Sequence, residues 1–95
     1  MANIKKLEVK LEKAVLKKNM AVAKQIAEEI LISNPNHINA LNVIAAVSFM
    51  EKNYDGCINV SKHVLSVDGN NGVALHAVEV CSAISQKSTL NSYGF

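Results

Sequence analysis

Asn34-Pro35-Asn36-His37-Ile38-Asn39-Ala40-Leu41 is echoed 34 residues later by Asp68-Gly69-Asn70-Asn71-Gly72-Val73-Ala74-Leu75. The same offset carries Leu7 onto Leu41, Leu31 onto Leu65, and Lys18-Asn19-Met20 onto Lys52-Asn53-Tyr54. Independent matches at one offset define an internal repeat. A period of roughly 20–50 residues is the mark of stacked supersecondary units, each too small to bury its own apolar face.

Inside each unit the apolar spacing is helical. Ile4, Leu7, Leu11, Ala14 and Val15 recur at steps of three and four, as do Val22, Ala23, Ile26, Ala27 and Ile30. Such steps place side chains on one face of a helix. Leu41, Ile44, Ala45 and Ser48 form the next stripe, then Cys57, Ile58, Ser61, Val64 and Leu65. The punctuation between stripes has physical causes. Asn19 and Asn53 are expected to take the left-handed backbone that ends a helix. The residue before Pro35 is pushed to extended geometry, and Asp68-Gly69-Asn70 has turn chemistry. Asn36 and Asn71 are expected as N-caps. The reading is all-α: five antiparallel helices over about residues 3–18, 20–33, 37–52, 54–67 and 71–87, forming two and a half helix-turn-helix units. Residues 1–87 form one helical domain, and 88–95 a flexible tail.

Composition agrees with packed helices. Of 95 residues 49% are hydrophobic but only 4% aromatic, and there is one Pro. All ten basic residues are Lys, seven of them before residue 25. Base-specific recognition leans on the guanidinium fork, so a chain without Arg is not expected to read nucleic acid specifically. No apolar run is long enough to span a bilayer, and the charged N-terminus is not a secretory signal. Cys57 and Cys81 lack zinc-ligand spacing and read as reduced core residues of a cytoplasmic protein.

No catalytic constellation is legible. His63 lies six residues past Cys57 and His76 five before Cys81; neither spacing puts the pair on one helix face. His37, at a helix start, reads as a cap or an exposed residue. Metalloprotease, nucleophile-elbow, phosphate-loop and EF-hand motifs are missing. The expectation is a chain that is not an enzyme, with no catalytic, metal or cofactor residues.

With its 34-residue period, and small residues where helices would cross, the chain resembles the tetratricopeptide (TPR) repeat. The matching positions are Leu7, Ala23, Ala27 and Pro35 in the first unit, and Leu41, Ala45, Asn53-Tyr54, Cys57 and Ser61 in the second. A third unit begins at Gly72 and Leu75 and stops after one helix. Leu11 and Ala45 stand where the family often has Gly, and Gly69 replaces the repeat-ending Pro. Three stretches also look like the small TPR-type chaperones of type III secretion needle subunits: Ser48-Phe49-Met50-Glu51-Lys52-Asn53-Tyr54, Ile26-Ala27-Glu28-Glu29-Ile30-Leu31, and the apolar helix from Val73 to Ile84. The resemblance implies a concave groove that grips an amphipathic helix of a partner, with a small helical co-chaperone bound elsewhere.

The family's register places Val9, Glu12 and Leu16 of the first unit on the concave face, with Asn39 and Asn42 of the second and His76 of the last helix. The partner-binding groove it implies comprises Val43, Ala46, Phe49, Met50, Val73, Ala77, Val80 and Ile84. The last helix is apolar on all sides, and a helix of that kind needs cover. Leu75 and Val78 are therefore expected at a contact with a second copy or a co-chaperone, unless the tail folds back with Leu90, Tyr93 and Phe95. The functional expectation is a protein-holding adaptor or chaperone; the alternative is a self-assembling scaffold that dimerises through its last helix.

Overall fold

The protein, described here from a computed structural model, is defined over residues 4–92, with side chains defined over 4–85. Five helices follow one another: α1 Ile4–Leu16, α2 Met20–Ser33, α3 Ile38–Met50, α4 Tyr54–Val67 and α5 Gly72–Ser92. Among the described residues there is no strand. The helix starts repeat the period of the sequence. Ile4, Ile38 and Gly72 are 34 apart, as are Met20 and Tyr54.

Small polar devices set these boundaries. Lys18 and Lys52 carry the left-handed backbone, with φ of 58° and 62°. This corrects the expectation that Asn19 and Asn53 would do so. Each Asn instead caps the following helix: Asn19 Oδ1 accepts from Val22 N–H at 3.4 Å, and Asn53 Oδ1 from Gly56 N–H at 3.1 Å. A cap needs its side chain aimed into the first turn, which the non-helical ψ of 79° at Asn19 and 75° at Asn53 provides. The shorter bond at Asn53 has a steric origin. A Cβ on Gly56 would stand 2.6 Å from Asn53 Nδ2.

The start of α3 also departs from expectation. His37, not Asn36, is the N-cap, its Nδ1 accepting from Ala40 N–H at 3.1 Å. Asn71 caps α5 as expected, with Oδ1 accepting from Ala74 N–H at 3.0 Å. His37 and Asn71 occupy one repeat position with two different acceptors. The last helix continues to Ser92, beyond the expected end at Lys87. Tyr93 and Phe95 lie outside the described residues, and so does the side chain of Leu90.

The core is a chain of small clusters. Ala23, Ala27, Ile30 and Ala40, all fully buried, join Leu7, Leu11 and Ala14 to seal α1, α2 and α3. Leu41, Val64 and Ala74 tie α3, α4 and α5, and Ala45, Cys57 and Cys81 continue the same seam. Burial follows the repeat: Ala23 becomes Cys57, Ala27 becomes Ser61, Ile30 becomes Val64 and Ala40 becomes Ala74, each at 2% exposure or less. Small side chains at these crossings let the helix backbones approach closely.

Each helix packs on its sequence neighbours, and α3 touches α5 more thinly. The result is elongated, 52 × 27 × 19 Å. The radius of gyration, 14.5 Å, exceeds the roughly 12 Å of a compact chain of this length. Stability therefore rests on local interfaces. Ile30→Ala is expected to cost about 2–5 kcal/mol in urea denaturation, whereas Ile32→Ala, 82% exposed two residues on, should change it by about 0.5 kcal/mol at most. Lys52→Gly should raise stability by roughly 1 kcal/mol by removing the left-handed penalty.

Candidate functional site

The alternation of helices puts α1, α3 and α5, the first helices of successive units, along one face. Two grooves open between them. One, of about 520 Å³, lies between α1 and α3 and is lined by Glu8, Leu11, Glu12, Val15, Leu16, Met20, His37, Asn39, Asn42, Val43 and Ala46. The other, of about 360 Å³, lies between α3 and α5 and is lined by Asn42, Ala45, Ala46, Phe49, Met50, Cys57, Ser61, Val73, His76, Ala77 and Val80. Asn42 and Ala46 belong to both, so the two grooves form one trough straddling α3.

The trough concentrates apolar surface. Among the described residues ten large hydrophobics are exposed, and five of them line it: Val15, Leu16, Phe49, Met50 and Val73. Phe49 sits edge-on to Tyr54, ring centres 5.7 Å apart, which fixes its ring at the turn into α4. Ala46, exposed at the shared centre, keeps that centre open because its side chain is a single methyl.

Six of the eight expected groove residues line the α3–α5 half: Ala46, Phe49, Met50, Val73, Ala77 and Val80. Val43 lines the α1–α3 half, where it also packs on the first core cluster. Ile84 is half-buried and lines neither half. Val9, exposed, also lines neither half; the α1 wall is formed by Glu8, Leu11, Glu12, Val15 and Leu16. Leu75 and Val78 lie off the trough, the first 47% exposed and the second half-buried. Sequence reasoning assigned Cys57 and Ser61 to the core and missed that they also reach the trough. They belong to α4, behind the α3–α5 seam, and back the floor of the groove while staying buried.

Charge is segregated around the trough. Glu8 and Glu12 line it, and none of its lining residues is a lysine. His37 Nε2 lies 3.4 Å from Glu8 Oε1; because Nδ1 accepts the Ala40 N–H, the proton belongs on Nε2, pointing at the carboxylate. Lys10, Lys13 and Lys17 line a different, shallower groove over Val22 and Ile26.

At the floor, the Cys81 thiol donates to Cys57 Sγ across 3.0 Å, and both residues are buried. Burial foremost, and then the hydrogen bond and charge of neighbouring Cys57, together push Cys81 from 9.0 up to about 12. A thiol held this firmly offers no thiolate at neutral pH. Ser61 Oγ, in the next turn of α4, is buried without a hydrogen-bond partner. His63 Nε2 is 2.9 Å from Asn36 Oδ1, which ties α4 to the α2–α3 turn. Among the described residues, no group of three or more His, Cys, Asp or Glu could hold a metal ion, and no helix is long and apolar enough to cross a membrane.

No protein-family model, curated protein or solved structure matches the chain.

The thiol pair sets a pH dependence. Above pH 9 the unfolded chain releases the Cys81 proton while the folded chain keeps it, so the unfolded state binds fewer protons and stability falls. The urea midpoint is expected to drop progressively from pH 9 toward pH 12. At pH 8, Ellman's reagent should leave both thiols unmodified in the native protein and titrate both in denaturant.

Proposed function

We propose that this chain is a TPR-type protein-holding module, a small cytoplasmic chaperone or adaptor that buries the apolar stripe of a partner's amphipathic helix in the trough. The resemblance to the small TPR-type chaperones of type III secretion needle subunits supplies a functional analogy. The observation that carries the reading is the concentration of exposed Val15, Leu16, Phe49, Met50 and Val73 along one continuous concavity. Contiguous apolar surface of this kind marks interaction sites, and a trough between helices accepts a helix by its i, i+3, i+4 and i+7 side chains. Unbranched Met50 lets the wall repack around different guests. The mechanism is burial and shape, without covalent chemistry.

A second reading, dimerisation through α5, is favoured by one observation. Leu75 is 47% exposed, whereas its repeat equivalents Leu7 and Leu41 are 8% and 4% exposed. The second helix of each hairpin covers those equivalents. A second copy of α5 would supply that cover at Leu75 and Val78, and a small helical co-chaperone would do so equally.

Ala46→Asp tests the main reading, because Ala46 is exposed and at the centre of the trough. Far-ultraviolet circular dichroism should be unchanged. Binding of a fluorescent amphipathic helix of about 18 residues should weaken more than tenfold, which is about 1.4 kcal/mol. A loss of helicity instead would place Ala46 in the core. Val80→Asp, at the α5 wall, should weaken binding similarly. For the second reading, light scattering over a concentration series should show a dimer that Leu75→Lys disperses.

A further inference from the structure

The trough is electrically asymmetric, although the chain as a whole carries a net charge of +2. Its α1 side holds two carboxylates, Glu8 and Glu12, one helical turn apart on the same face. Its α3–α5 half is lined by no Asp, Glu, Lys or Arg; its titratable lining residues are His76 and buried Cys57. Lys10 and Lys13 of α1, with Lys17 just past its end, line a separate groove; Lys5, three residues before Glu8, is exposed and is not a lining residue of the trough. Glu8 has a partial partner in His37 at 3.4 Å; Glu12 is exposed at the rim.

We infer that the guest is a helix of another protein whose apolar stripe is flanked at one end by Lys or Arg. Those basic residues lie over Glu8 and Glu12, while the rest of the stripe runs into the uncharged α3–α5 half. This rests on the reading of the trough as a guest-holding site and adds the guest's charge pattern and direction. Apolar burial is non-directional, so the stripe alone would let a guest lie either way round. A pair of carboxylates at one end breaks that symmetry. Like charges placed there are rejected, and opposite charges fix register and speed encounter. The lysine-bearing flank of α1 repels the same basic guest, which leaves the trough as its favoured approach.

The test uses two labelled helical peptides with one apolar stripe, one carrying two Lys at i and i+4 at one end and the other two Glu at the same places. Fluorescence anisotropy is read on the wild type, on Glu12→Lys, on Glu8→Gln and on Ala46→Asp, each checked for helicity. The wild type should bind the Lys peptide about five- to tenfold more tightly at low salt, as expected for two rim-exposed pairs. The preference should shrink as salt shortens the screening length. Glu12→Lys should reverse it, and Glu8→Gln should reduce it. Equal binding of both peptides, abolished by Ala46→Asp, would overturn the charge assignment and leave the trough's role standing. No binding of either peptide would overturn both. A wild-type dimer dispersed by salt and by Glu12→Lys would seat a second copy's lysine-bearing helix in the trough and overturn the assignment to another protein.

Discussion

Close approach of helix backbones at small, fully buried side chains is the constraint on which the rest of the molecule depends. Ala23 and Ala27 in the first unit, Ala40, Cys57 and Ser61 in the second, and Ala74 in the third occupy the crossings at 2% exposure or less. A larger residue at any of them would force the hairpins apart, because packed interiors have no spare volume. With the hairpins held tightly on α2 and α4, the helices α1, α3 and α5 are left splayed on the other side. The trough is the geometric complement of that tight packing.

The cost of the arrangement shows at the floor. Ser61 satisfies the demand for a small residue but leaves its hydroxyl buried without a partner, and a group of this kind costs about 1–3 kcal/mol. Its repeat equivalent, Ala27, fills the same volume without an oxygen. Cys57 and Cys81 solve a neighbouring problem differently: each thiol is small and weakly polar, and the pair satisfy one another across 3.0 Å. Low reactivity follows from the same burial that makes them good packing residues.

The turns and the trough are linked through two residues. His37 caps α3 with one ring nitrogen and faces Glu8 with the other, so the device that starts a helix also orients a carboxylate on the trough wall. Phe49, at the end of α3, leans on Tyr54 across the next turn and brings a large apolar ring to the opposite half. The ends of α3 thereby set the chemistry of both halves, acidic near its start and apolar near its finish.

The sequence by itself determined the number of helices, their order and the repeat, because 34-residue self-similarity and three-and-four spacing are local properties that survive without tertiary contacts. It also marked most of the α3–α5 wall, since residues on one helix face are fixed by spacing alone. Tertiary structure decided the rest. The left-handed turns fell to Lys18 and Lys52 because Asn19 and Asn53 gain more as caps. Val9 and Ile84 lost their places because the rotation of α1 and α5 about their own axes depends on the helices packed behind them. The exposure of Val15, the reach of Cys57 and Ser61 to the floor, and the approach of Cys57 to Cys81 across 24 residues all follow from the splay between helices, a distance that no single helix encodes.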